Sequence, residues 1–108
     1  MAMVAKRFDI WTVPLDPSLG SEFQKTRPCI IVSPDEANRH LNTVVVVPMT
    51  SSRHQYGART NLTFDGKDGQ AATDQVRVID KQRLISRIGQ IDMATGAQIL
   101  RGLQEFFS

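Results

Sequence analysis

The sequence lacks the raw material of several large protein classes. It has one cysteine, Cys29, so no disulfide can close within the chain. That cysteine sits in the apolar run "PCIIV", where packing in a reducing compartment is its expected role. Only two histidines, His40 and His54, accompany it, and no His/Cys spacing fits a structural metal site. No apolar stretch approaches the roughly 20 residues that cross a bilayer, and the N-terminus lacks the basic-then-apolar pattern of a secretory leader. A cytoplasmic protein without membrane attachment is therefore expected. The phosphate-cradling GxxxxGK[ST], the dinucleotide-binding GxGxxG and the nucleophile elbow GxSxG are all missing. What is left is chemistry that a few polar side chains support, with no cofactor or metal expected.

The 108 residues fit one domain, 1–108, and a composition 41% hydrophobic and 22% charged is that of a folded globular chain. The formal charge of +2 is too small for a histone-like field. The basic residues are mostly arginine, however, at 7, 27, 39, 53, 59, 77, 83, 87 and 101. A planar guanidinium suits phosphate oxygens better than an ammonium does, so an anionic partner is favoured.

"RFDIWTVPL" predicts a strand and "DPSLGSEFQKT" a loop. "PCIIV" and "TVVVV" are short, β-branched and flanked by proline, which predicts central strands buried on both faces, the second ending at Pro48. Between them, "SPDEANRHLN" has room for one helical turn capped by Ser33 or Asp35. "TNLTF", the turn "DGKDG" and "AATDQVRVI" resemble a hairpin, while "DKQRLISRIG" fits either a strand or a short helix. From Asp92, a plausible N-cap, Ile99, Leu100, Leu103, Phe106 and Phe107 follow helical spacing. Together these elements predict a small antiparallel β-barrel or curled sheet carrying a C-terminal amphipathic helix.

If the strands at 28–32 and 43–48 pair antiparallel, Arg27 and Thr50 fall at the same end of the sheet, a guanidinium and a hydroxyl able to face one phosphate. Singly, each has a plainer role: Arg27 as a snorkelling surface cation, Thr50 as a strand-end hydroxyl bonding the next loop. Glu22 either orients Arg27 or keeps its loop soluble. Asp74 and Gln75 are candidates for a base and a reader of a nucleobase edge, unless Asp74 is an ion-pair partner of Arg77 or Arg83. The loop after Thr50 (Ser51, Ser52, Arg53, His54, Tyr56), with Gln75 and Arg77, is the candidate surface for a single-stranded nucleic acid, since bases stack on rings and phosphates meet arginine.

"GSEFQKTRPCIIVS", "VVVVPMTSS" and "DQVRVIDKQRLISRIG" resemble, in order and spacing, three signature blocks of the MazF/PemK family of toxin endoribonucleases. The likeness extends from "FDIWTVPLDP" to the last helix. It implies an SH3-like β-barrel of the CcdB/PemK type, usually a homodimer. It also implies metal-independent cleavage of single-stranded RNA and an antitoxin that lays a flexible segment over the RNA groove. The family's catalytic arginine and threonine fall on Arg27 and Thr50, and its important glutamate on Glu22. In the PemK branch an arginine and an aspartate separated by one residue are implicated in catalysis. The aspartate matches Asp74, but Ala72 stands in the arginine's place, which favours a site centred on Arg27 and Thr50.

Cleaving RNA without a metal uses the ribose 2′-OH as internal nucleophile, which requires a base, a cation for the phosphorane oxygens and an acid for the leaving 5′-oxygen. Arg27 suits charge stabilisation and Thr50 positioning; either Glu22 or Asp74 accepts the proton or holds Arg27. Two other readings share the fold: a CcdB-like poison that binds DNA gyrase without catalysis, and an RNA-binding relative that has lost catalysis.

Overall fold

The two β-branched runs form strands buried on both faces, and their alternation splits the interior in two. In the computed structural model, which describes residues 4–108, β2 (Thr26–Ile31) sends Cys29 and Ile31 into one apolar cluster and Ile30 into another. In the same way β3 (Thr43–Thr50) sends Val44 and Val46 to the first cluster and Val47 and Met49 to the second. This period of two is the strand's own geometry. Trp11, Val13, Leu15 and Ile79 join the first cluster, and Phe8, Ile10, Leu62 and Ile99 join the second. Burial pushes the Cys29 thiol up to about 12, so it packs as a small apolar group.

The remaining strands are β1 (Asp9–Pro14), β4 (Thr60–Phe64), β5 (Lys67–Ala71), β6 (Arg77–Asp80) and β7 (Ser86–Gln90). Helix α1 spans Asp35–His40, and 3₁₀ turns occupy Thr73–Gln75 and Lys81–Arg83. All pairings are antiparallel, in the order β4-β5-β3-β2-β1-β7, with β6 also on β3. The sheet curls into a half-barrel: Gly89 on one edge strand faces the Phe64 ring on the other, and a Cβ at 89 would lie 3.0 Å from that ring. Of the expected antiparallel barrel or curled sheet with a terminal helix, the chain builds the curled, half-closed form.

Helix α2 (Met93–Phe106) starts where Asp92 accepts the Thr95 N–H at 3.4 Å, as the sequence predicts. Ile99, Leu100 and Leu103 cover the second cluster, each buried aliphatic side chain contributing about 1.5–3 kcal/mol. Phe107 lies outside this face, 72% exposed, in edge contact with Phe106.

Several boundaries differ from expectation. Strand β3 runs through Pro48 to Thr50 rather than ending at the proline. The Pro48 carbonyl accepts from Ala72 N–H, so the missing N–H faces the same edge, where β3 exchanges β6 (last pair Val46↔Arg77) for β5 (first pair Met49↔Ala71). No ladder bond is lost there. Neither Ser33 nor Asp35 caps α1: Ser33 bonds the Asn38 side chain and accepts Val45 N–H, while Asp35 accepts Arg7 N–H. The hairpin turn is only Asp65-Gly66, both at positive φ, as a two-residue turn requires. Gly69 and Gln70, expected in or beside the turn, lie within β5. The ambiguous "DKQRLISRIG" becomes a 3₁₀ turn followed by the edge strand β7.

Candidate functional site

Three hollows adjoin the end of the sheet where β2 begins and β3 ends. The β2/β3 ladder ends with Cys29 opposite Pro48, and Arg27 and Thr50 each lie two residues beyond that last pair, at the same end of the sheet. Both residues line one cavity of about 330 Å³ together with Ser51, Met49 and Phe64. The Arg27 guanidinium lies 4.5 Å from the centre of the Phe23 ring, and its Nε donates to the Gln24 carbonyl at 3.2 Å. Thr50 Oγ1 accepts the Ser52 N–H at 3.2 Å, which fixes the start of the loop and leaves the hydroxyl hydrogen to donate outward. Gly69 packs so tightly here that a Cβ would lie 2.3 Å from the Thr50 carbonyl oxygen.

A second hollow, about 530 Å³, is bounded by Glu22, Phe23, Asp74, Gln75 and Arg77. Its floor is the loop between β1 and β2, held by the residues the sequence offered as RNA contacts. Gln75 Oε1 accepts Phe23 N–H at 3.0 Å, and Arg77 Nη1 donates to the Leu15 carbonyl at 3.0 Å. Arg83 donates to the Pro14 and Asp16 carbonyls, and Asp16 accepts Lys25 N–H at 3.1 Å. Glu22 makes no ion pair with Arg27: its Oε1 accepts Leu19 N–H at 2.8 Å within its own turn.

Asp74 pairs with neither Arg77 nor Arg83, both of which are spent on backbone carbonyls. Its partner is Arg59, with Nε to Oδ1 at 2.7 Å and Nη2 to Oδ2 at 3.0 Å. That bond holds the Asp74 carboxyl below the usual carboxylate range against partial burial, and pushes the guanidinium pKa up. Arg59 also lies 5.8 Å from the Phe23 ring centre, so one aromatic ring sits beside two guanidinium groups. Neither Phe23 nor Arg59 was singled out by sequence, although "GSEFQKTRP" placed an aromatic inside the charged block.

The third hollow, about 600 Å³, lies under the loop after Thr50 and includes Arg53, His54, Tyr56 and Arg59. Arg53 is committed to the fold, donating to the Gly69 and Leu62 carbonyls, while the His54 and Tyr56 side chains are exposed. Ser52 is exposed beside them, its N–H held by Thr50. Buried Gln70 pins the loop by bonding both the N–H and the carbonyl of His54. Among the described residues no group of three His, Cys, Asp or Glu side chains is arranged to hold a metal ion. Among the described residues no helix is long and apolar enough to cross a membrane.

The arrangement gathers Arg27, Thr50 and Ser51 in one cavity, and Glu22, Asp74, Gln75 and Arg77 in the next. Residues 6–107 match the family model described as the PemK-like, MazF-like toxin of type II toxin-antitoxin system. Endoribonuclease EndoA of Bacillus subtilis is 32% identical over 83% of each chain, and endoribonuclease MazF9 of Mycobacterium tuberculosis 34% over 92% of each. Among solved structures, MazF from Deinococcus radiodurans superposes with a TM-score of 0.86 over 98% of both chains at 20% identity, a likeness of fold. A mycobacterial endoribonuclease solved in complex with its cognate antitoxin gives 0.81 over 95% of this chain and 94% of that one, at 22% identity. The chain thus belongs to the PemK-like, MazF-like family of type II toxins.

Proposed function

We propose that this protein is the toxin of a type II toxin–antitoxin pair, an endoribonuclease that cuts single-stranded RNA through attack of the ribose 2′-OH. The observation that carries it is the meeting of Arg27 and Thr50 in one cavity at the end of β2 and β3. Relatives named endoribonucleases support it. The guanidinium is permanently charged and meets the charge that grows on the phosphorane oxygens, where preorganised donors are most effective. The Thr50 hydroxyl, held by Ser52 N–H, donates to the same phosphate. Phe23 limits where the Arg27 plane can lie, which converts a flexible cation into a positioned one.

Of the two carboxylates, Asp74 is tied at both oxygens to Arg59 and has a depressed pKa, which makes it a weak base. Glu22 has one oxygen committed to Leu19 N–H and the other available, and it is assigned the proton of the 2′-OH. Gln75 and Arg77 hold the loop that carries Glu22 and Phe23. The products are a 2′,3′-cyclic phosphate and a 5′-OH, formed without a metal or cofactor. The protein acts in the cytoplasm as a homodimer, and its cognate antitoxin covers the cavities with a flexible segment. The gyrase-binding reading leaves the Arg27–Thr50 cavity without a purpose, and relatives named endoribonucleases favour cleavage over an inactive RNA binder.

Incubating the protein with RNA in EDTA and mapping the ends tests this. Cleavage to cyclic-phosphate and 5′-OH ends is expected, and a single 2′-deoxy substitution at the cleaved nucleotide should block it. Activity abolished by EDTA, or undiminished by the deoxy substitution, contradicts the mechanism.

A further inference from the structure

A hydrogen-bond relay of fixed polarity runs from the loop after Thr50 to the exposed face of β4. Gln70 on β5 is 3% exposed, and both ends of its amide are hydrogen-bonded. Oε1 accepts the His54 N–H at 3.0 Å, and Nε2 donates both to the His54 carbonyl at 2.8 Å and to Asn61 Oδ1 at 3.0 Å. A backbone N–H can only face an acceptor and a carbonyl only a donor, so His54 decides which end of the Gln70 amide is which. The two hydrogens of Nε2 are then both spent on acceptors. Asn61 must offer its oxygen to Gln70, and its own NH₂ is turned the other way.

Asn61 is exposed and lines the third hollow with His54, Tyr56 and Arg59. No carboxylate lines that hollow. Arg59, with Nε and Nη2 held by Asp74, has Nη1 left as a further donor. Asn61 and Arg59 therefore present hydrogen-bond donors beside an exposed tyrosine ring, the complement of a flat group whose edge carries acceptors. We propose that Asn61 is a specificity residue that reads one base of the RNA, its Nδ2 donating to an acceptor on the base edge while the base stacks on Tyr56. The proposal rests on the endoribonuclease function proposed above.

Asn61→Asp tests it with little change of shape. One carboxylate oxygen still accepts from Gln70, while the outward donor becomes an acceptor. A pool of RNA randomised around the cleaved bond, sequenced after partial digestion, gives the base preference at every position. The expected result is a change confined to one position: preference moves from an acceptor-bearing edge toward bases offering an amino group, by roughly tenfold or more in the ratio. Asn61→Ala should flatten the same position, and it covers the case in which the added charge of the aspartate unsettles the loop. Unchanged preferences in both variants overturn the proposal. So does slowing that is uniform across sequences, which marks a phosphate contact or a merely structural role. Wild-type protein that cuts none of the pool overturns the endoribonuclease assignment itself and this inference with it.

Discussion

Arg59 and Asp74, fifteen residues apart, form a two-pronged ion pair that joins the loop after β3 to the 3₁₀ turn after β5, with 2.7 and 3.0 Å bonds. Their side chains are only 10% and 24% exposed. Asp74→Asn leaves the guanidinium without its counter-charge and should cost about 1–3 kcal/mol at neutral pH. Because the folded-state pKa of Asp74 is depressed, the pair's stabilisation is full above the unfolded value of about 4 and is lost as pH falls through the lower folded value. Melting curves from pH 7 down to pH 2 should show wild type and Asp74→Asn converging in acid. A gap that does not narrow as the pH falls below about 4 contradicts this account of the pair.

Gly69 lets β5 approach Thr50 closely. Its Cβ position lies 2.3 Å from a backbone oxygen, which a side-chain rotation cannot relieve. Gly69→Ala should destabilise by about 1–3 kcal/mol and displace Thr50, lowering RNA cleavage well beyond the loss of folded protein. Urea unfolding measured beside single-turnover cleavage separates the two effects.

Glu22 is the proposed proton acceptor. Glu22→Gln keeps an oxygen for Leu19 N–H, so the turn should survive while the base is lost. A fall of about 10²–10⁴ in kcat with KM nearly unchanged is expected. Asp74→Asn, measured beside it, should fall far less, since that carboxylate aims Arg59. The reverse ranking would move the base to Asp74.

The Arg27–Thr50 relationship was legible because it depends on local signals. Two β-branched runs separated by a short polar segment fix antiparallel neighbours, and Pro28 and Pro48 mark which ends meet. The roles of Asp74, Gln75 and Arg77 were not legible, because what they bond lies 15 to 62 residues away in the chain. A charged or amide side chain has the same sequence signature whether it faces solvent or ties down a carbonyl. Gln70 was hidden for a related reason: beside "DGKDG" it resembles turn chemistry, and only the two-residue Asp65-Gly66 turn carries it into a strand and buries it. Phe23 sits in a loop with no periodicity to mark it, yet its ring lies against both guanidinium groups.

The central claim is that Arg27 and Thr50 act on one phosphate, and single-turnover cleavage of a defined RNA oligonucleotide by Arg27→Ala and Thr50→Ala tests it most directly. Binding is followed in parallel on the same oligonucleotide carrying a 2′-deoxy nucleotide at the cleavage position. Each variant should lose at least about 10²-fold in cleavage rate while retaining most of its affinity, and the double variant should be little worse than the single ones. Cleavage at near wild-type rates by folded Arg27→Ala would contradict the account.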